Sequence, residues 1–385
     1  MNAQNILFVI VAKVSQVFTK VKNALSDHSV LKKIAPIFLS GLLLFTVAPM
    51  TGPPFTYTTS NGYITITGYT GVSGNVIIPA AINTVPVSSI ALNAFANLTI
   101  LTNVTISSGI INIGSGAFHG CVNLTNIIIP ATITNLGVNA FQGCTNLITV
   151  TIPGSVGNIA DYAFQGCTSL SSLMISNGVL NIGPYAFQGC TNLINLIVPG
   201  SVTNLGNNAF QGCAALSGLM ISNGVLNIGP YAFQGCTNLI NITIPGSVTN
   251  IADYAFQGCI NLAGIYFASN APAADMSAFD TGSSLTLYYL PDTLGWDGFA
   301  AGTGLDCVLW NPLIQINGAG FGLQNNQFGF DITGTANIPI VVEAKNSTNS
   351  VWTPRMSLML TNGGYHYSEP LQTNPSVYFY RISSP

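Results

Sequence analysis

Apolar and polar positions alternate in short bursts along this chain, and the bursts recur. Leu147-Ile-Thr-Val-Thr-Ile152 alternates apolar and polar, which predicts a half-buried β-strand with Leu147, Val150 and Ile152 pointing inward. Pro153-Gly154 ends the strand in a turn. Val156 and Ile159 then carry the chain back across a core, and Ala163, Phe164 and Cys167 mark a compact helical or irregular segment before the next strand begins.

This unit repeats without slippage. The pair Ala-Phe recurs at Phe95, Phe118, Phe141, Phe164, Phe187, Phe210, Phe233, Phe256 and Phe279, always 23 residues apart. A cysteine follows three residues later in seven of the units, Cys121, Cys144, Cys167, Cys190, Cys213, Cys236 and Cys259, while Leu98 takes that place in the first. Residues 174–195 and 220–241 are identical, so a two-unit block of 46 residues has been copied in tandem. One coil of 23 residues cannot bury its apolar face by itself. The period therefore predicts stacked coils, stabilised by neighbour contacts and closed by caps.

The caps are expected on both sides of the array. At the start, Tyr63-Ile-Thr-Ile-Thr67 and Val76-Ile-Ile78, separated by the glycine-rich Gly68 to Gly74, read as a short β hairpin. Beyond Phe279 the period decays through Leu285 to Pro291 and Gly295 to Phe299, reaching Val308-Leu-Trp310. From Asn311 onward, short alternating segments such as Phe328 to Ile332, Ile338 to Glu343 and Val377 to Ile382 suggest a small β sandwich. The domain plan is a leader over 1–50, an N-terminal β cap over 51–90, a solenoid with its C-terminal cap over 91–310, and a β-sandwich-like module over 311–385.

The repeated unit, A-F-x-x-C-x-x-L-x-x-I-x-I-P-x-S-V, resembles the BspA-like leucine-rich repeats of bacterial surface proteins over roughly residues 85–290. That resemblance implies an α/β leucine-rich-repeat solenoid with a parallel sheet on its concave face. It also implies a place outside the cell and a role in adhesion to proteins or to other cells. The chain departs from the pattern in its near absence of charge, and no sorting motif or C-terminal membrane span is visible.

Charge narrows the partners. Only 5% of residues are charged, and five of the eight basic ones (Lys13, Lys20, Lys22, Lys32, Lys33) lie in the first 33 positions. Beyond residue 50 only Lys345, Arg355 and Arg381 face ten acidic groups, a net of 3 − 10 = −7. Without a basic patch there is no counterion-release term to drive nucleic-acid binding. The early lysines precede the apolar stretch Ile34 to Val47, at whose end Thr46-Val47-Ala48 supplies small residues for cleavage, which reads as a secretion signal. Its long basic n-region also suits an uncleaved anchor, which would be the chain's sole membrane contact. Both versions place the remainder in a secreted or cell-surface setting.

Two columns of strand residues should face outward. One holds Asn103, Asn126, Thr149, Ser172, Asn195, Gly218, Asn241 and Gly264; the other holds Thr105, Ile128, Thr151, Met174, Ile197, Met220, Thr243 and Tyr266. Exposed apolar residues in register mark an interaction strip, so the second column is the expected contact with a protein or glycan partner. A further column, Tyr162, Tyr185, Tyr231 and Tyr254, offers flank contacts or packs over neighbouring coils. The cysteine column reads as buried thiols acting as small hydrophobes. Parallel side chains do not aim at one another for a disulfide, and no His or Asp repeats alongside them as metal ligands.

Catalytic groups are sparse. His28 lies in the leader, His119 stands where other units carry Gln, and His366 has no carboxylate beside it in sequence. Asp161 and Asp253 are repeat copies in turns. Gly318-Ala-Gly-Phe-Gly322 lacks the strand and helix that flank a phosphate loop. The expectation is a noncatalytic binding or adhesion protein without cofactor or metal. The alternative is a structural component of the cell surface or matrix that self-assembles through the same apolar columns.

Overall fold

The computed structural model describes residues 54–274, 276–279, 285–346, 351–370 and 378–384. The leader over 1–50 lies outside the described residues. Among them, no helix is long and apolar enough to cross a membrane.

Each 23-residue unit makes one coil with three sides. On the front, strands such as Thr149–Ile152, Ser172–Ile175 and Asn195–Val198 pair in parallel, so that Thr149 meets Ser172 and Thr151 meets Met174. Seven front strands, from Asn75–Ile78 to Gly218–Ile221, make one sheet; a second begins at Asn241–Ile244 and ends at Asp306–Leu309. On the back, two-residue strands such as Asn158–Ile159 and Asn181–Ile182 form another parallel ladder. The third side is made of turns, yet it is also bonded between coils: the Phe118 N–H donates to Ala140 O at 2.8 Å, and the Phe141 N–H to Ala163 O at 2.8 Å. The segment after each phenylalanine is thus turn rather than helix. Among the described residues the one α-helix is Trp296–Thr303.

The core is a column of phenylalanines. Rings from Phe95 to Phe279 stack on the ring of the next coil, with centroids 5.2 Å apart for Phe164 and Phe187 and again for Phe187 and Phe210. Their planes lie within 3° of parallel. Around them, Leu147, Ile152, Val156 and the equivalent residues of other coils are fully buried. Both ends of the column are closed by aromatic rings. Phe55 and Tyr69 reach Phe95 at 6.4 and 6.2 Å, and Phe299 of the helix meets Phe279 at 6.3 Å.

The opening hairpin differs from the expected one. Phe55–Ser60 and Tyr63–Tyr69 pair antiparallel around Asn61-Gly62, both with positive φ, as a two-residue hairpin turn requires. Asn75–Ile78 instead joins the front sheet beside Asn103–Ile106. The glycine-rich stretch between them is therefore a crossing from back to front, not a hairpin loop.

Polar side chains also stack in register. Gln142, Gln165, Gln188 and Gln211 each donate to the glutamine of the next coil, and Gln234 Nε2 reaches Gln257 Oε1 at 2.5 Å. On the back edge, Asn181 Nδ2 donates to Asn158 Oδ1 and Asn227 Nδ2 to Asn204 Oδ1, both at 2.7 Å. Such amide ladders satisfy polar groups without any charge.

The C-terminal module consists of two antiparallel sheets. One contains Leu313–Gln315, Gly322–Gln324, Gln327–Thr333 and Gly364–Pro370, the other Ile338–Asn346, Thr353–Leu360 and Tyr378–Ser383. Phe330, Ile332, Ile340, Val342 and Leu360 are buried between them. Tyr266 and Tyr288 of the solenoid belong to the same buried cluster.

Because stability passes between neighbouring coils, Phe187→Ala should cost about 3–5 kcal/mol and split the urea unfolding curve into two transitions. A single transition displaced by less than about 1 kcal/mol would show that the ring column does not hold the stack.

Candidate binding surface

Parallel pairing keeps equivalent residues in line, so the outward column of the front face is continuous. Thr105 pairs with Ile128, Thr151 with Met174, and Ile197 with Met220. The alternation that buries Val150 and Ile152 turns Thr151 outward. Met174 is 62% exposed, Ile197 58% and Met220 59%, and these three occupy successive coils. Ile128 is also exposed, Thr151 and Thr243 are exposed, and Thr105 is half-exposed. Beside this column runs an amide and hydroxyl column, in which Asn103 Nδ2 donates to Asn75 Oδ1 at 2.7 Å.

The strip is displaced relative to its expected limits. Ile77 pairs with Thr105 and is 69% exposed, extending the column by one strand at the start. Val76-Ile-Ile78 is apolar throughout, so no alternation marks Ile77 as outward, and the spacing from Thr105 is 28 residues rather than 23 and breaks the phase.

At the other end Tyr266 is not part of the open strip. It is buried, stacks on Tyr288 at 4.7 Å, and meets Trp310 edge-on at 6.1 Å. Trp310 Nε1 donates to Pro339 O at 2.9 Å, tying this aromatic group to the terminal module. Gly264 is buried as well. The module sits on the front face at its last coils, an arrangement that no local sequence pattern announces.

The tyrosine column lies on the third side. Tyr162, Tyr185, Tyr231 and Tyr254 have φ between 58° and 60°, in the left-handed region, and Asn93, Asn139 and Asn208 at equivalent places have φ between 55° and 57°. Asparagine tolerates this conformation, whereas for other residues it costs roughly 1–2 kcal/mol. The tyrosines offset that cost by stacking in pairs: Tyr162 on Tyr185 and Tyr231 on Tyr254, each at 4.8 Å. They are half-buried, so their ring faces pack over the neighbouring coil.

All seven repeat cysteines are buried thiols. Each Sγ donates to a phenylalanine carbonyl of the preceding coil, from Cys121 to Phe95 O at 3.0 Å through Cys190 to Phe164 O at 3.4 Å. Burial pushes the thiols of Cys167 and Cys213 up to about 12 and that of Cys121 to about 11. Cys144, Cys190 and Cys236 are also raised, first by burial and then by the neighbouring thiols. They are small hydrophobes with a weak donor, not nucleophiles. No group of three or more His, Cys, Asp or Glu residues poised for a metal ion occurs among the described residues.

Asp161 and Asp253 occupy the same turn four coils apart, about 19 Å at the usual strand spacing, so they do not converge. His119 interrupts the start of the glutamine ladder, with its Nδ1 buried and unpartnered. His366 is different: strand pairing sets it opposite Asp331, 35 residues earlier, with Nδ1 at 2.6 Å from Oδ1.

Parallel front and back ladders around a column of repeat phenylalanines define a leucine-rich-repeat solenoid. The BspA type leucine rich repeat region matches residues 88–217 and 206–295, in six copies. The chain belongs to that family. Among solved structures it is similar to the leucine rich repeat protein of T. pallidum, at 27% identity over 54% of this chain and 88% of that one, with a TM-score of 0.40. It is also similar to a leucine rich cell surface protein of Faecalibacterium prausnitzii, at 24% identity over 68% and 94% of the two chains, with a TM-score of 0.39. Comparison with curated proteins finds no match.

The raised thiols set an alkaline limit on stability. Below about pH 9 the thiols are protonated in both folded and unfolded chains; above it the unfolded chain loses protons first, so Cys167 and Cys213 each lower stability by roughly 1.4 kcal/mol per pH unit until about pH 12. Urea midpoints measured at about pH 8 and about pH 10.5 should drop steeply in the wild type and by less in Cys167→Ala/Cys213→Ala. Equal drops would show that the thiols do not carry the effect.

Proposed function

We propose that this chain is a noncatalytic binding or adhesion protein that works outside the cell and engages a protein or glycan partner through the front strip. The observation that carries this reading is the run of Met174, Ile197 and Met220, each more than half exposed on successive coils. Lone exposed apolar residues are ordinary, but a continuous line of them costs solubility, and this chain has few charges to offset that cost. Methionine adapts its shape to a partner, and isoleucine gives area without charge, so apolar protein surfaces suit the strip best. The lysine-rich, apolar leader pattern supports export, and the uncharged amide ladders suit a surface kept soluble without ions.

Self-assembly into a surface or matrix layer is the second reading. The scarcity of charge favours it, because little repulsion would hold two copies of the strip apart.

Arrays of matrix proteins and glycans, probed with the chain beside Met174→Ser/Ile197→Ser/Met220→Ser, test the first reading. Saturable binding in the wild type should weaken by at least about tenfold in the variant, with the fold intact. Equal binding by both would move recognition off the strip. Sedimentation at rising concentration addresses the second reading: self-association abolished by the same substitutions supports it, and a monomer throughout removes it.

A further inference from the structure

The terminal module carries a polar cleft separate from the front strip. Strand Gln327–Thr333 runs between Gly322–Gln324 and Gly364–Pro370, with Gly329 opposite Ser368 and Asp331 opposite His366. An ionised carboxylate only accepts hydrogen bonds, so in the neutral ring the His366 Nδ1 carries the proton and donates it to Asp331. Nε2 then keeps its lone pair as an acceptor.

Two glycines make this arrangement fit. A Cβ on Gly320 would fall 2.3 Å from Asp331 Oδ2, and one on Gly329 would fall 3.1 Å from His366 Nε2. The run Gly318 to Gly322, no phosphate loop, is what lets the chain pass close to the carboxylate. Beyond it opens a cleft of about 250 Å³, lined by these two glycines, Gly322, and the side chains of Gln324, Asn325, Gln327, His366 and Ser368.

The lining is amide, hydroxyl and imidazole, with neither an apolar nor a cationic side chain. Lys345, Arg355 and Arg381 stand on strands of the other sheet, where Lys345 and Arg381 lie over Trp352 at 4.7 and 4.5 Å. No lining side chain is a lysine or arginine that could hold an anion, and the Asp331 carboxylate bonded to His366 would repel one. A hydroxyl-rich neutral ring would instead find donors in the amides and an acceptor in Nε2, within a volume suited to one such ring.

We infer that this cleft is a binding site for an uncharged sugar, with His366 as the hydroxyl acceptor and Asp331 as the residue that positions its ring. The site is independent of the front strip.

The test is titration of the full chain with glucose, galactose, mannose, N-acetylglucosamine and glucuronate, followed by saturation transfer from the protein to the sugar protons, a signal that every variant retains. At least one neutral sugar should bind saturably in the millimolar range. Its affinity should fall about tenfold or more in His366→Ala and by a smaller factor in Asp331→Asn. Met174→Ser/Ile197→Ser/Met220→Ser should bind it as the wild type does, so that failure of the front-strip reading and failure of this one are separable. His366 and Asp331 are both partly exposed, and circular dichroism checks that the variants fold. Tighter binding of glucuronate than of any neutral sugar, binding untouched by both cleft variants, or no saturable binding up to about 50 mM would each overturn the assignment.

Discussion

Everything in the solenoid depends on keeping one coil in register with the next. A parallel ladder tolerates only whole-unit shifts here, because each ring of the Phe95 to Phe279 column rests on its equivalent one coil away. Once that register is set, it sets the remaining columns too. Thiols lie under carbonyls, glutamines under glutamines, and the front side chains form a line rather than a scatter. Coil-to-coil hydrogen bonds on all three sides leave few backbone groups unpaired, which suits a chain with almost no charged side chains to hydrate it. The front strip therefore follows from packing: residues that alternate outward must align if the residues that alternate inward stack.

Much of this was legible in the sequence, and the reason is periodicity. The fixed interval between Ala-Phe pairs placed Thr151 beside Met174 and Ile197 beside Met220 before any coordinates, because a repeat of constant length leaves no other parallel pairing. The buried thiols were legible for the same reason. Legibility fell where the period fails. Ile77 joins the strip at an irregular spacing, and the hairpin closes at Asn61-Gly62 instead of across Gly68 to Gly74. The burial of Tyr266 depends on a module whose own sequence contains no hint of where it docks. His366 and Asp331 are 35 residues apart, and only the pairing of two antiparallel strands makes them neighbours.

The terminal module changes the meaning of the last coils. Tyr266 and Tyr288 lie at positions that elsewhere face solvent, yet here they join the module's core, and Thr243 Oγ1 approaches Ser384 Oγ at 3.5 Å. The aromatic substitution at these positions is the local adaptation that turns an open strand surface into a seat. The solenoid and the module thus share a hydrophobic cluster, and the module is held as a continuation of the fold rather than as a tethered bead.

The identical segments spaced 46 residues apart give the molecule a natural unit of growth. Residues 174–195 and 220–241 carry the same methionine, the same tyrosine and the same cysteine into the same places. Insertion or loss of one 46-residue block, exchanged within these segments, would leave nearly all neighbour contacts chemically unchanged and both closing structures in place. The length of the array can therefore drift over generations in steps of two coils, roughly 10 Å at the usual strand spacing, while the fold pays no penalty. In that sense the protein is a ruler with interchangeable segments, whose reach can be altered by unequal copying without redesign of any surface.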